Sequence, residues 1–169
     1  MAGNKYIANV AGVKTEVAAL QSSAGAGDAG KIVALDAAGK IDISMMPVGI
    51  GADTRSIVTS ENLVHGDLVN IYNNAGTATA RKADATTAGK EAHGFVLSAV
   101  TSPAAATVYF EGTNTAVTGL TAGKQYLSTT AGLSTSTAPS SAGNIVQRVG
   151  VATGATSLNV ECDEPLTLA

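Results

Sequence analysis

The sequence has no tryptophan, a single cysteine, and only four tyrosines and two phenylalanines among 169 residues. One cysteine, Cys162, excludes an internal disulfide, so the fold does not depend on an oxidising compartment. The scarcity of aromatic side chains argues against a stacking platform for a ligand. Charged residues make up 14% of the chain, whereas roughly a quarter is usual. We therefore expect a surface of Thr, Ser, Asn and Ala, as in proteins that work packed into an assembly.

Charge and hydropathy exclude two classes of partner. A net charge of −3 provides no basic footprint for nucleic acid. No apolar run approaches the roughly 20 residues of a membrane span. The first residues lack the basic-then-apolar layout of a signal peptide. We expect a soluble chain, made in the cytoplasm, that binds neither nucleic acid nor membrane.

Small residues dominate what is present. There are 31 Ala, 20 Thr, 19 Gly and 13 Ser, about half of the chain. Leu, Ile, Val and Phe together make up roughly a fifth, just above the level at which disorder becomes the default expectation. A folded core is possible but thin, and contacts between chains are expected to supply part of the stability.

Residues 1–52 differ from residues 53–169 and are predicted to form an extended N-terminal arm or anchor. The Gly/Ala tract 22–30 cannot pack a core and reads as a linker. A short repeat follows, in which each copy, 29–35 and 38–44, is a turn signal leading into an alternating apolar strand. Residues 6–20 fit both a helical stripe and a strand, and extended structure is favoured.

Residues 53–169 are predicted to be all-β, an antiparallel sandwich or barrel of about eight strands. Short segments rich in Val, Thr, Ile and Tyr recur between Gly-bearing turns 8 to 13 residues apart. The candidate strands are 55–59, 67–73, 77–82, 94–100, 106–111, 124–129, 133–137, 145–152 and 156–161.

A weak internal duplication divides this β region into two halves. The segment that begins at Gly66 aligns with the one that begins at Gly123, and Gly94-Phe-Val-Leu aligns with Gly150-Val-Ala-Thr. Each half then consists of a hairpin followed by a second hairpin. Thr-rich sequences also produce such alignments by chance, so both interpretations stay open.

The motifs that suggest chemistry fail on context. Gly25-Ala-Gly27-Asp-Ala-Gly30 matches the dinucleotide fingerprint and, with Lys31, part of a phosphate loop. Both motifs require a buried strand before the glycines and a helix after them. Here neither flank fits, because the run after the glycines is strand-like, and a linker is favoured.

Single residues carry no specific chemistry either. His65 and His93 are interpreted as turn residues at strand entries, and Cys162 between two acids is expected to have a raised thiol pKa. Arg81, Lys82 and Arg148 are expected to protect sheet edges or pair between subunits. We expect no enzyme, no catalytic residue, no cofactor and no metal.

The run from Ser23 to Gly51, with its doubled Gly-Lys-Ile, resembles segments of virion structural proteins of tailed bacteriophages. Later segments do so as well: Gly66-Asp-Leu-Val-Asn-Ile-Tyr-Asn, Gly94-Phe-Val-Leu, Gly119-Leu-Thr-Ala-Gly-Lys-Gln-Tyr-Leu-Ser and Val149-Gly-Val-Ala. The resemblance implies a β-rich module without catalytic residues, often trimeric, that binds another virion protein. It covers both head-associated and tail-associated proteins.

The sequence and the resemblance together predict a capsid decoration (cement) protein on the outer surface of the phage head. Its partners would be the major capsid protein and itself, as a homotrimer. The alternative is a tail-fibre, tail-spike or neck component. Residues expected to contact the capsid or a neighbouring subunit are Ile32, Val33, Leu35, Ile41, Ile43, Met45 and Met46.

Overall fold

A computed structural model describes residues 4–46 and 51–169. The chain divides into two compact units, Met1–Gly51 and Ala52–Ala169. Within the described residues, the helical content is limited to two single 3-10 turns, Ala26–Asp28 and Ile43–Met45. All other regular structure is β-strand, which confirms the predicted all-β class.

The N-terminal unit begins with a β-hairpin formed by β1 (Lys5–Val10) and β2 (Val13–Ala18). The two-residue turn between them, Ala11 and Gly12, has φ values of 51° and 89°. Positive φ at both turn positions is the type I′ geometry, whose twist matches that of paired strands. Extended structure in residues 6–20 is therefore correct, and the helical alternative is excluded.

The strands predicted within 29–35 and 38–44 do not form. The first segment makes a single parallel bridge, between Leu20 and Val33, and the second contains the 3-10 turn Ile43–Met45. In the second segment the cause is local: Asp36 and Asp42 accept hydrogen bonds from the backbone N–H groups of Ala38, Lys40 and Ser44. Such turns compete with strand pairing for the same N–H groups.

The second unit contains twelve strands in its described residues. They are β3 (Thr54–Thr59), β4 (Leu68–Asn74), β5 (Thr77–Lys82), β6 (Gly94–Val96), β7 (Ala105–Tyr109), β8 (Gly112–Asn114), β9 (Gly123–Leu127), β10 (Ser134–Thr135), β11 (Ile145–Val146), β12 (Arg148–Gly154), β13 (Ser157–Val160) and β14 (Leu166–Thr167). Each of the nine predicted strands overlaps at least one of them, whereas β3 starts earlier than expected and β8 and β14 lie outside every predicted range.

These strands form two five-stranded sheets and one short pair. In the first sheet the order β3-β5-β4-β6-β7 closes into a barrel, because β3 pairs with β7 antiparallel and with β5 parallel. The second sheet, in the order β10-β9-β12-β13-β8, stays open, and β11 pairs with β14. Two sheets of five strands thus stand in place of the single eight-stranded sandwich or barrel that we predicted.

Two hydrophobic clusters hold this unit together. One lies within the barrel and is centred on Leu63, Val69, Val96 and Val108. The other joins both sheets: Leu68 and Phe95 of the barrel strands pack with Leu127, Val149 and Leu158 of the open sheet. The shared cluster makes the two sheets one folding unit.

The two sheets have the same strand connectivity. Strands β3 to β7 correspond in chain order and pairing to β8, β9, β10, β12 and β13. The register agrees as well, since Val69 pairs with Gly94 and Gln125 pairs with Gly150, both at an offset of 56 residues. The predicted pattern of two hairpins in each half is confirmed, and the structure adds a leading strand to each.

Candidate interaction surface

The residues predicted to contact a partner lie in the second half of the N-terminal unit, and most are exposed. Ile32, Val33, Leu35, Ile41 and Ile43 each expose between 50% and 66% of their surface. Met46 is also exposed, and Met45 is half-buried. The structure thus presents six of the seven predicted side chains to solvent within one short segment.

The acidic residues of this segment are less exposed than its apolar ones. Asp28, Asp36 and Asp42 are all half-buried. Asp36 accepts hydrogen bonds from the N–H groups of Ala38 and Lys40, each at 2.8 Å. Carboxylates organise the backbone, and the apolar side chains face outward, which reverses the usual arrangement of a water-soluble fold.

Asp28 fixes the loop that precedes Ile32. Its carboxylate accepts a hydrogen bond from the N–H of Ala24 at 2.7 Å and pairs with Lys31 Nζ at 2.8 Å. The Lys31 hydrogen bond is the main reason that the pKa of Asp28 lies below its usual range. The lysine of the apparent phosphate loop is therefore occupied by its own chain.

Asp42 performs the same task for Ile43 and Met46. Its side chain accepts a hydrogen bond from the N–H of Ser44 at 2.9 Å. The Ser44 side chain, and then this N–H, lower the pKa of the Asp42 carboxyl. The hydroxyl of Ser44 in turn accepts from the N–H of Ser23 at 2.8 Å. Polar contacts, and no apolar core, hold this segment in shape.

The hairpin adds an apolar face that the sequence analysis did not single out. Across β1 and β2, Tyr6 is paired with Val17 and Val10 with Val13, so these side chains share one face. The alternation of Val13, Thr15 and Val17 was a signal for this face. Val10 and Val13 are exposed, and Tyr6 and Val17 are half-buried.

Between residues 4 and 46, no residue is buried. Monomeric proteins rarely expose so many large apolar side chains within so short a segment. A partner that covers these side chains would supply the burial that the unit lacks. Binding by apolar contact is therefore the chemistry that this surface can perform.

The Gly25–Gly30 motif has no nucleotide-binding geometry. A three-residue 3-10 turn, Ala26–Asp28, follows Gly25, and the chain then continues to the bridge at Val33. Pyrophosphate binding by this motif needs the N-terminus of a helix after the glycines. The structure places no helix there.

Each of the two histidines contacts a different backbone group. His65 Nδ1 lies 3.2 Å from the carbonyl oxygen of Ala116, and His93 Nδ1 accepts a hydrogen bond from the N–H of Ile71 at 2.9 Å. The cations Arg81 and Lys82 are likewise engaged within the unit, Arg81 with Asn70 Oδ1 and Lys82 with Asp67. None of these residues needs a second subunit for its contacts.

Arg148 also pairs within the chain. Its guanidinium contacts Asp163 through two parallel hydrogen bonds of 2.7 and 2.8 Å, and Glu161 Oε2 lies 3.6 Å away. The Arg148 hydrogen bonds hold the pKa of the Asp163 carboxyl below its usual range. This pair ties the segment after β13 to the start of β12.

A cleft of 450 Å³ lies beside this pair. Its lining includes Glu91, His93, Gln147, Cys162 and Asp163. Burial, with a smaller contribution from the Asp163 carboxylate, raises the pKa of the Cys162 thiol to about 11. The thiol is therefore a poor nucleophile, as the sequence predicted from its acidic neighbours.

Comparison with family models, with curated proteins and with solved structures finds no match. Among the described residues, no group of three or more His, Cys, Asp or Glu side chains is arranged to hold a metal ion. In the same residues, no helix has the length and apolar character needed to cross a membrane.

Proposed function

We propose that this chain is a capsid decoration (cement) protein of a tailed bacteriophage. In this role it binds the outer surface of the assembled head, contacts the major capsid protein and stabilises the contacts between capsomers. It acts as a homotrimer, and its N-terminal unit extends as an arm. The role needs no reaction chemistry, cofactor or metal.

The observation that carries this proposal is the outward-facing apolar surface of the N-terminal unit. Its side chains are exposed although the segment that bears them is held by specific hydrogen bonds. A surface that is organised in this way before binding loses less conformational entropy when a partner covers it. Binding the assembled head in preference to free subunits would then stabilise the shell by mass action.

The second copy of the short repeat is the proposed shell contact. Ile41, Ile43, Met45 and Met46 lie around the 3-10 turn that Asp42 caps. Ile41 and Ile43 are exposed to 52% and 66%. In this proposal these exposed apolar side chains contact the capsid protein.

Copy number in purified virions tests the function directly, by quantitative mass spectrometry against the major capsid protein. We expect hundreds of copies at a fixed ratio to the capsid subunit. About a dozen copies would support the alternative assignment, a component of the tail or neck. Absence of the chain from virions would overturn both.

A matched pair of variants tests the surface. Ile41→Asp with Ile43→Asp places two charges in the proposed contact, and we expect binding to undecorated heads to fall at least tenfold in co-sedimentation. The control is Leu166→Asp, because Leu166 in β14 is exposed to 62% but lies outside the N-terminal unit. Equal binding by both variants would contradict the assignment of the contact.

A further inference from the structure

The two repeats differ at one place, the seam between the first and last strands of the sheet. In the first repeat, Val58 and Thr59 of β3 pair parallel with Thr79 and Ala80 of β5, and the barrel closes. In the second repeat, β8 ends at Asn114 and is not paired with β10. The second sheet is therefore a barrel with an open seam.

Register identifies the residues that would close it. Arg55 pairs with Val108 as Asn114 pairs with Leu158, so Asn114 occupies the position of Arg55. Counting onward, Thr115-Ala-Val-Thr118 corresponds to Ser56-Ile-Val-Thr59. By the same logic, Leu133 and Ser134 correspond to Thr79 and Ala80.

The four residues at the equivalent closing positions all line one cavity. Val117, Thr118, Leu133 and Ser134 border a volume of 210 Å³, together with Leu68, Leu120 and Leu158. Leu133 is exposed to 51% although Leu158 is fully buried. In the first repeat the four equivalent residues are paired directly, Val58 with Thr79 and Thr59 with Ala80.

Asn114 and His65 hold the chain's own segment 115–118 beside the seam, where it is not paired with β10. Asn114 Nδ2 donates to the carbonyl of Gly66 at 2.9 Å, and its Oδ1 accepts from the N–H of Ala116 at 3.1 Å. The carbonyl of Ala116 faces His65 Nδ1. These contacts turn the chain immediately after β8, so the seam is left for another strand.

The segment Lys31-Ile-Val-Ala-Leu35 has the features of that strand. Its Ile32-Val33 pair matches Ile57-Val58 of β3, in which Ile57 is buried and Val58 is exposed to 40%. The N–H of Leu20 donates to the carbonyl of Ile32, and the carbonyl of Leu20 accepts from the N–H of Ala34. The N–H and C=O of Val33 therefore point to the opposite edge, where a strand could add.

We propose that residues 31–35 of one copy insert into the open seam of a second copy, parallel to β10. Ile32 enters the cavity, Val33 pairs with Leu133 and Ala34 with Ser134. This is β-strand addition, in which backbone hydrogen bonds give affinity and alternate side chains give specificity. Because each copy carries one segment and one seam, exchange around a closed ring leaves neither uncovered.

The apolar side chains of the segment agree with self-association by this route. Ile32, Val33 and Leu35 expose 52%, 50% and 54% of their surfaces in the single chain, so insertion would cover three large apolar side chains that face solvent. The inference rests on the self-association in the proposed function but needs no capsid. It also separates the first copy of the short repeat, which contacts a neighbour, from the second, which contacts the shell.

Cysteine cross-linking of the full chain tests the insertion, with Cys162→Ser as background. Chains that carry Val33→Cys are mixed with chains that carry Leu133→Cys, allowed to exchange, and oxidised. Paired strand positions bring Cα atoms within the range that a disulfide spans. We expect a covalent heterodimer on a non-reducing gel.

The matched control replaces Leu133→Cys by Val151→Cys, which is exposed on β12 but lies away from the seam. We expect at least tenfold less heterodimer with this control. Equal yields, or no heterodimer in either mixture, would overturn the inference. So would a disulfide within single chains that carry Val33→Cys and Leu133→Cys together, because the segment would then fill its own seam.

A second double variant tests whether the chain's own residues 115–118 occupy the seam. If Val117→Cys and Leu133→Cys form a disulfide within one chain at high yield, residues 115–118 close the seam and the proposal fails. Sedimentation of the Cys162→Ser chain distinguishes the strand insertion from self-association by another route. Oligomers without the specific cross-link would overturn the strand insertion and leave self-association standing, whereas a monomer would overturn both.

Discussion

Gly94 and Gly150 occupy the same position in the two sheets, and each lies directly against a backbone carbonyl. A Cβ on Gly94 would overlap the carbonyl oxygen of Tyr109, and a Cβ on Gly150 would overlap that of Asn159. Tyr109 and Asn159 are themselves equivalent, because they pair with Phe95 and Val151. The two repeats thus share a close approach of strands as well as a strand order.

Replacing Gly150 by alanine should destabilise the second unit. The new methyl group would force the neighbouring backbone of β13 to shift, and φ of Gly150 is 148°, which side chains rarely adopt. We expect a loss of about 2–3 kcal/mol in the free energy of unfolding, measured by urea denaturation. Gly154→Ala is the control, because nothing lies within 4 Å of its added Cβ. A loss of the same size in both variants would contradict the steric argument.

Much of the β architecture could be predicted from the sequence, because apolar and polar residues alternate within short segments between glycine turns. The pairing of these strands could not be predicted. Closure of the first barrel depends on the parallel pairing of Val58 with Thr79, which no local sequence pattern predicts. Strand β8 was missed because its three residues are too short to show alternation.

The candidate surface was predictable as a set of residues, but its geometry was not. The repeats around Ile32 and Ile43 alternate like strands. The first forms only the bridge at Val33, and in the second the Asp42 carboxylate binds the N–H of Ser44 and the chain forms a turn. Gln147 carried no sequence signal at all. Its buried amide bonds to both the N–H and the C=O of Ala92, 55 residues earlier in the chain.

Asp163 should make stability depend on pH in the acid range. Its pKa is depressed in the folded state by Arg148, so the pair stabilises the fold above the pKa of the unfolded carboxyl. That contribution is lost as the pH falls below the unfolded value of about 3.9 and through the folded pKa. We expect Asp163→Asn to lower the melting temperature at pH 7 and to shrink the difference between pH 7 and pH 3.

The neighbouring acid supplies the control for this effect. Glu164→Gln removes a carboxylate beside the same cleft without touching the Arg148 hydrogen bonds. Its melting temperature should follow the wild-type pH curve. If Asp163→Asn follows that curve too, the pair contributes nothing to the folded state.

Cys162 should react slowly with thiol reagents while the protein is folded. Burial raises its pKa to about 11, so almost none of it is thiolate at pH 8. We expect labelling by a chromogenic disulfide at pH 8 to be at least about tenfold slower than in urea, where the ordinary thiol pKa is about 8.5. Raising the pH to 10 should accelerate labelling of the folded protein. Equal rates in the folded and unfolded chain would show that the thiol is neither buried nor perturbed.

Removing residues 1–51 should leave the second unit folded. Both hydrophobic clusters are drawn entirely from residues 57–162, and residues 4–46 contribute no buried side chain. We expect chain 52–169 to have a β-type circular dichroism spectrum and to unfold cooperatively, with a melting temperature within a few degrees of that of the full chain measured as a monomer.

The same truncation should abolish both self-association and head binding, because it removes the two apolar segments at once. A truncated chain that is unfolded at 25 °C would mean that the N-terminal unit stabilises the barrel directly, and the surface of Ile32 and Ile43 would then need a different interpretation. The control, Lys14→Ala in the full chain, changes an exposed residue of β2 and should alter neither property.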